Sequence, residues 1–125
     1  MSKGRILVID DEDIVRMSCS RTLSPEGYEV KLVKNGFDGF ALLEEEPFDL
    51  VLTDLKMPEI DGIEILRRIK EKWPAVEVII ITGYQTVDTA VKSIKLGAFD
   101  YLEKPFTPDG LLSSVAKAFT HRKKT

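Results

Sequence analysis

Cysteine and histidine are almost missing from this chain, each occurring once, as Cys19 and His121. A lone thiol closes no disulfide within the chain, which fits a reducing cytoplasm. Cys19 itself reads as a small apolar residue of the first helix. One histidine in a basic tail excludes a histidine-based metal site or catalytic triad. No apolar run approaches the roughly 18–20 residues of a bilayer span, so no membrane insertion is expected. The opening Met1-Ser2-Lys3-Gly4-Arg5 leads straight into a β-prone run ending in an acidic pair, unlike a signal peptide. Excess positive charge is lacking too: 18 Lys and Arg stand against 21 Asp and Glu. That balance argues against duplex binding as the main task of the chain. Repeats, low-complexity segments and internal linkers are also absent, so 125 residues read as one domain with a real core.

What the chain does have is regular alternation. Arg5 to Ile9, Tyr28 to Val33, Leu50 to Asp54, Val76 to Thr82 and Asp100 to Glu103 read as strands. Tyr28 to Val33 alternates apolar and polar residues, as an edge strand with one solvated face does, whereas Leu50 to Leu52 is continuously apolar, as in a strand buried on both faces. Helical stretches follow each strand. The first runs to Ser24 and starts among acidic residues. The second is capped by Asn35 and carries Phe37, Phe40 and Ala41 on one face. The third is capped by Asp61, with Glu64 completing a capping-box pattern, and runs to Trp73. The fourth is capped by Thr86, repeats Val87, Ala90, Val91 and Ile94 at helical spacing, and closes at Gly97. The last opens at Thr107-Pro108, with Leu111, Leu112, Val115, Ala116 and Phe119 inward. Each return to a parallel strand needs a crossover, so this order predicts a parallel sheet with helices on both faces. The domain is expected over 1–121, with 122–125 a basic tail or the start of a linker.

Chemistry gathers at one end of these strands. The first ends in Asp10 and Asp11, the third in Asp54, the fourth in Thr82 and the fifth beside Lys104. In a parallel sheet all carboxyl ends share one edge, where open α/β sheets hold their ligands. Clustered carboxylates repel and raise one another's pKa unless a cation offsets them. An oxygen-only donor set suits a hard cation, and Mg²⁺ is the natural candidate. A carboxylate nucleophile, a metal, the Lys104 ammonium and the Thr82 hydroxyl together make a site for an aspartyl phosphate.

Four motifs carry a resemblance: Val8-Ile9-Asp10-Asp11-Glu12, Leu52-Thr53-Asp54-Leu55-Lys56-Met57-Pro58 with Asp61-Gly62, Ile80-Ile81-Thr82-Gly83, and Gly97-Ala98-Phe99-Asp100-Tyr101-Leu102-Glu103-Lys104-Pro105-Phe106. In this order and spacing the chain resembles, over essentially its whole length, the receiver domain of two-component response regulators. The resemblance implies a flavodoxin-like, doubly wound sheet in the order 2-1-3-4-5. It implies Asp54 as phosphoacceptor, Asp11 and Asp54 as Mg²⁺ ligands, Asp10 supporting the metal through water, and the main-chain carbonyl of Lys56 as a further ligand. Thr82 and Lys104 would each take a phosphoryl oxygen, and Tyr101 would turn inward as Thr82 moves. The surface remodelled is then the fourth helix, fifth strand and fifth helix. Implied partners are a cognate histidine kinase or phosphotransfer protein, an output domain beyond Thr125 or a separate effector, and a homodimer formed on phosphorylation. No direct nucleic-acid contact by this domain is implied, and the domain is a signalling switch, not an enzyme acting on a separate substrate.

The alternative is a phosphohydrolase of haloacid-dehalogenase type. That family places a second acid two residues after its nucleophile, where this chain has Lys56, and 125 residues leave no room for a substrate-covering cap. A calcium loop at Asp10 to Asp13 lacks the alternating ligands and the glycine of an EF-hand. Lys56 and Tyr84 are expected to overhang the phosphoryl group and slow its loss. The Lys104–Pro105 bond is expected to be cis, where a strand stops and turns its lysine back over the site.

Overall fold

A computed structural model of the chain describes residues 2–124, with side chains through residue 122. Five strands, β1 (Gly4–Ile9), β2 (Tyr28–Val33), β3 (Leu50–Asp54), β4 (Glu77–Thr82) and β5 (Asp100–Glu103), form one sheet in the order β2-β1-β3-β4-β5. Every neighbouring pair is parallel. The connecting helices are α1 (Asp13–Leu23), α2 (Gly36–Glu45), α3 (Gly62–Lys72), α4 (Val87–Lys95) and α5 (Pro108–Lys124), with a 3-10 turn at Ser24–Glu26. This is the expected α/β class and strand order.

Side chains leave a strand alternately to its two faces, and the sheet sorts its core that way. Leu7, Ile9, Val51, Val78 and Ile80 meet Leu43 of α2 and Ile65, Leu66 and Ile69 of α3. Ile6, Val8, Leu50, Leu52, Ile79 and Ile81 meet Cys19 and Leu23 of α1 and Leu111, Val115 and Ala118 of α5. Each fully buried aliphatic side chain contributes about 1.5–3 kcal/mol. The three central strands, sealed on both sides, therefore hold the loops at their ends rigidly.

Capping fixes where the helices start. Asn35 accepts from Asp38 N, Asp61 from Glu64 N, and Thr107 Oγ1 from Gly110 N, each at 2.9 Å. The Glu64 side chain does not complete a capping box; it pairs with Arg67 and Arg68. At α4 the box is complete and is made by Thr86 and Thr89. Gly97 ends that helix at φ 102°, a left-handed conformation suited to glycine.

Three apolar stripes are not simply the buried faces of their helices. In α2, Phe37 and Ala41 are exposed, and Gly36, Gly39 and Leu43 are buried against the sheet, with Phe40 partly covered. In α5, Ala116 is exposed and Ala118 takes its place in the core. In α4 the apolar stripe points outward: Val87 is 83% exposed, Val91 46% and Ile94 55%, while Ser93 is buried. Spacing locates a stripe on a helix but does not say what faces it. The end of α5 is docked and not merely solvated. His121 Nδ1 lies 2.6 Å from Glu77 Oε2 at the start of β4, and Arg122 pairs with Asp49. Thr125, the last residue of the expected tail, lies outside the described residues.

Candidate functional site

β1 delivers Asp10 fully buried, while Asp11 and Glu12 emerge into solvent. β3 ends on Asp54, only 3% exposed, because Lys56, Pro58 and Asp61 cannot extend a central strand. Asp54 Oδ1 accepts from Leu55 N at 2.8 Å, which fixes the carboxylate against its own backbone. Its other oxygen, Oδ2, faces the Lys104 ammonium at 3.4 Å. The same ammonium lies 3.0 Å from Asp10 Oδ2 and 3.0 Å from Glu12 Oε1. One cation, delivered from the end of β5 ahead of a cis Lys104–Pro105 bond, thus serves three carboxylates.

The electrostatics are strained in a definite direction. Burial raises the Asp54 pKa, the neighbouring Asp10 charge raises it further, and Lys104 with the Leu55 N–H offsets only part. Burial likewise raises Asp10 above the ordinary carboxylate range, against the opposing Glu12 N–H and Lys104. For Lys104, burial disfavours the charged form, yet the attraction of the Asp10 and Glu12 carboxylates prevails and its pKa rises. Asp10 Oδ2 has the ammonium as its charge partner but accepts no aligned hydrogen bond. A buried carboxylate oxygen left in this condition calls for a further positive partner.

A divalent cation fits. Asp10, Asp11, Glu12 and Asp54 each offer an oxygen, and these lie within 4.8 Å of one another. Opposite ligands of an octahedral Mg²⁺ stand about 4.2 Å apart, so a small contraction suffices. The donors are all hard oxygens, as Mg²⁺ requires.

Thr82 is buried at the end of β4, one residue beyond Ile81, the ladder partner of Asp54. Its Oγ1 accepts from Tyr84 N at 2.9 Å, and its carbonyl accepts from Lys104 N at 2.8 Å, tying the β4 and β5 loops together. Tyr101 is not in the carboxylate group. It is half-buried on β5, and its hydroxyl lies 2.9 Å from Thr89 Oγ1 on α4. Lys56 and Tyr84, from two different loops, meet: the ammonium stands 4.8 Å from the Tyr84 ring centroid.

The sequence assigns no role to two residues of the site. Glu12 reaches Lys104 across the cluster, and its only sequence signal is its place beside the acidic pair. Gly62, which follows Asp61 in the sequence, begins α3 directly beneath the loop that leaves Asp54. Its N–H donates to Leu55 O at 2.7 Å, and an added Cβ would stand 2.2 Å from Asp54 O and 2.8 Å from Leu55 Cα.

The family model described as the response regulator receiver domain matches residues 6–116. The chain is 38% identical to the DNA-binding transcriptional regulator NtrC of Proteus hauseri, covering 97% of this chain and 26% of that protein. It is 41% identical to the transcriptional regulatory protein ZraR of Salmonella typhimurium, covering 100% of this chain and 29% of the relative. The chain therefore spans about a quarter of the length of the curated relatives it matches. Among solved structures, a CheY-like receiver domain protein from Methanospirillum hungatei superposes with a TM-score of 0.94 at 34% identity over 98% of both chains. The beryllofluoride-activated NtrC4 receiver domain dimer superposes with a TM-score of 0.90 at 40% identity, over 94% of this chain and 98% of that one.

Proposed function

Because the chain belongs to the family of response regulator receiver domains, we propose that it is switched by a phosphoryl group carried on Asp54. The observation that carries this reading is the Lys104 ammonium, 3.4 Å from Asp54 Oδ2 and 3.0 Å from Asp10 Oδ2, beside an acidic cluster sized for a hard cation. An Asp54 oxygen attacks phosphorus, and an O–P bond forms. The donor's bond to phosphorus breaks, P–N in a phosphohistidine or P–O in a small acyl phosphate, and its electron pair leaves with the donor. Mg²⁺ held by Asp11, Asp54 and the Lys56 carbonyl, with Asp10 supporting through water, would supply positive charge against the phosphoryl oxygens. Lys104 turns its ammonium to one of those oxygens. Thr82, whose oxygen accepts from Tyr84 N, has its O–H to donate to another.

The same reading assigns the response. Thr82 moving toward the phosphoryl group vacates space beside β5, and Tyr101 leaves Thr89 to fill it. Its present bond to α4 makes that helix the element it releases. Phosphate loss needs a water in line with the O–P bond, and the stacked Lys56 and Tyr84 crowd that path. The donor is a histidine kinase or phosphotransfer protein, the setting is cytoplasmic, and the output is a further domain or a separate effector. The domain acts on no substrate beyond its donor. A second copy is the partner suggested by the dimeric NtrC4 neighbour.

Mass spectrometry after incubation with acetyl phosphate and Mg²⁺ tests the acceptor. One added phosphoryl group is expected in the parent, and none in Asp54→Asn or with excess chelator. Undiminished labelling of Asp54→Asn places the acceptor elsewhere.

A further inference from the structure

Glu12 occupies the N-cap position of α1, where Ser, Asn or Asp serves best. Its side chain makes no capping hydrogen bond. Instead the backbone of Glu12 is fixed by its N–H donating to Asp10 Oδ1 at 2.9 Å, and its carboxylate takes a hydrogen bond from Lys104 Nζ at 3.0 Å, 92 residues away in sequence. Arg16 donates to the Asp10 carbonyl at 2.7 Å and pairs with Asp13, which holds the start of α1 and hence the Glu12 backbone in place.

We propose that Glu12 is a latch on Lys104: a positioning residue that holds the ammonium in the resting state and competes with the phosphoryl group for it. Asp10 and Asp54 hold the same ammonium from within the site, at 3.0 and 3.4 Å. Glu12 alone draws it outward, from a side chain that is 56% exposed. To reach a phosphoryl oxygen, Lys104 must give up this outward partner. The contact belongs to the resting protein alone, so it opposes phosphorylation without touching the acceptor. A half-exposed ion pair is weak, so the latch slows labelling about two- to fivefold and does not prevent it.

This rests on the reading of Asp54 as acceptor, and the experiment separates the two. Glu12→Ser removes the carboxylate while supplying a better cap, and Glu12→Gln removes the charge at nearly constant shape. Nitrogen-resolved NMR of the lysine ammonium groups, without Mg²⁺ or phosphodonor, is expected to show the Lys104 signal in the parent. Lys104→Arg identifies that signal. In both Glu12 variants it should broaden as exchange with water quickens. With acetyl phosphate and saturating Mg²⁺, both variants should label about two- to fivefold faster than the parent, although Glu12→Ser melts no lower. In a Lys104→Ala background the Glu12 changes should bring no gain. An unchanged ammonium signal, slower or equal labelling in Glu12→Ser, or the same gain without Lys104 overturns the latch. A parent that takes no label indicts the acceptor reading instead, and the ammonium signal still decides the latch.

Discussion

Replacing Gly62 by Ala drives a methyl group into the Asp54 carbonyl and the Leu55 Cα, backbone atoms that cannot swing aside as a side chain can. The strain is expected to cost about 1–3 kcal/mol in urea denaturation. Because relief displaces the acceptor loop, labelling by acetyl phosphate should slow as well. At Asp54 the charge itself is unfavourable. Its folded pKa is raised by burial and by Asp10, so the unfolded chain releases that proton at lower pH than the folded one does. Stability therefore falls as pH rises from the ordinary carboxylate range, near about 3.9, through the raised folded value. Asp54→Asn should accordingly melt several degrees higher than the parent at neutral pH, with the gain shrinking on acidification. Mg²⁺ should raise the parent's melting temperature, as binding to the folded state alone requires, and raise that of Asp54→Asn less. Calorimetry across pH, with and without the metal, checks both statements.

At the scale of the element, α4 is the helix least committed to the core. It buries Ser93 and presents Val87, Val91 and Ile94 to solvent. Its first turn hangs on the Thr86–Thr89 box and on the Tyr101 hydroxyl bonded to Thr89. Thr86→Ala should cost about 1 kcal/mol, read as faster amide exchange in α4. If phosphorylation drives self-association through this face, Val91→Glu should label normally and stay monomeric in sedimentation. Thr82→Ala should likewise label but not associate, since the hydroxyl proposed to sense the phosphoryl group is gone.

At the scale of the whole molecule, the parallel sheet lets loops distant in sequence act on one point. Lys56 follows β3 and Tyr84 follows β4, and the two meet, the ammonium 4.8 Å from the ring centroid, as the pair proposed to cover the approach to Asp54. Replacing Lys56 with Asn and Tyr84 with Glu together exchanges this cover for smaller polar groups that can orient a water. Phosphate loss should then quicken several-fold in time courses after donor removal. An unchanged lifetime moves that control to another part of the fold. The same rigidity depends on the doubly covered central strands. Ile80→Ala, at a fully buried position of β4, should cost about 2–5 kcal/mol.

Local chemistry in the sequence determined the alternation of strands and helices, the caps at Asn35, Asp61, Thr86 and Thr107, the edge character of β2, and the placing of Asp10, Asp54, Thr82 and Lys104 at strand ends. These follow from neighbours within a few residues, joined to the rule that parallel strands end on one side. Tertiary structure alone decided what each face meets. It turned the α4 stripe and Phe37 to solvent, because periodicity carries no record of the opposing surface. It brought Glu12 to Lys104 across 92 residues, and it set α3 so close under the acceptor loop that only glycine fits at position 62. Such contacts are distances between segments that the sheet brings together, and no local pattern encodes a distance of that kind.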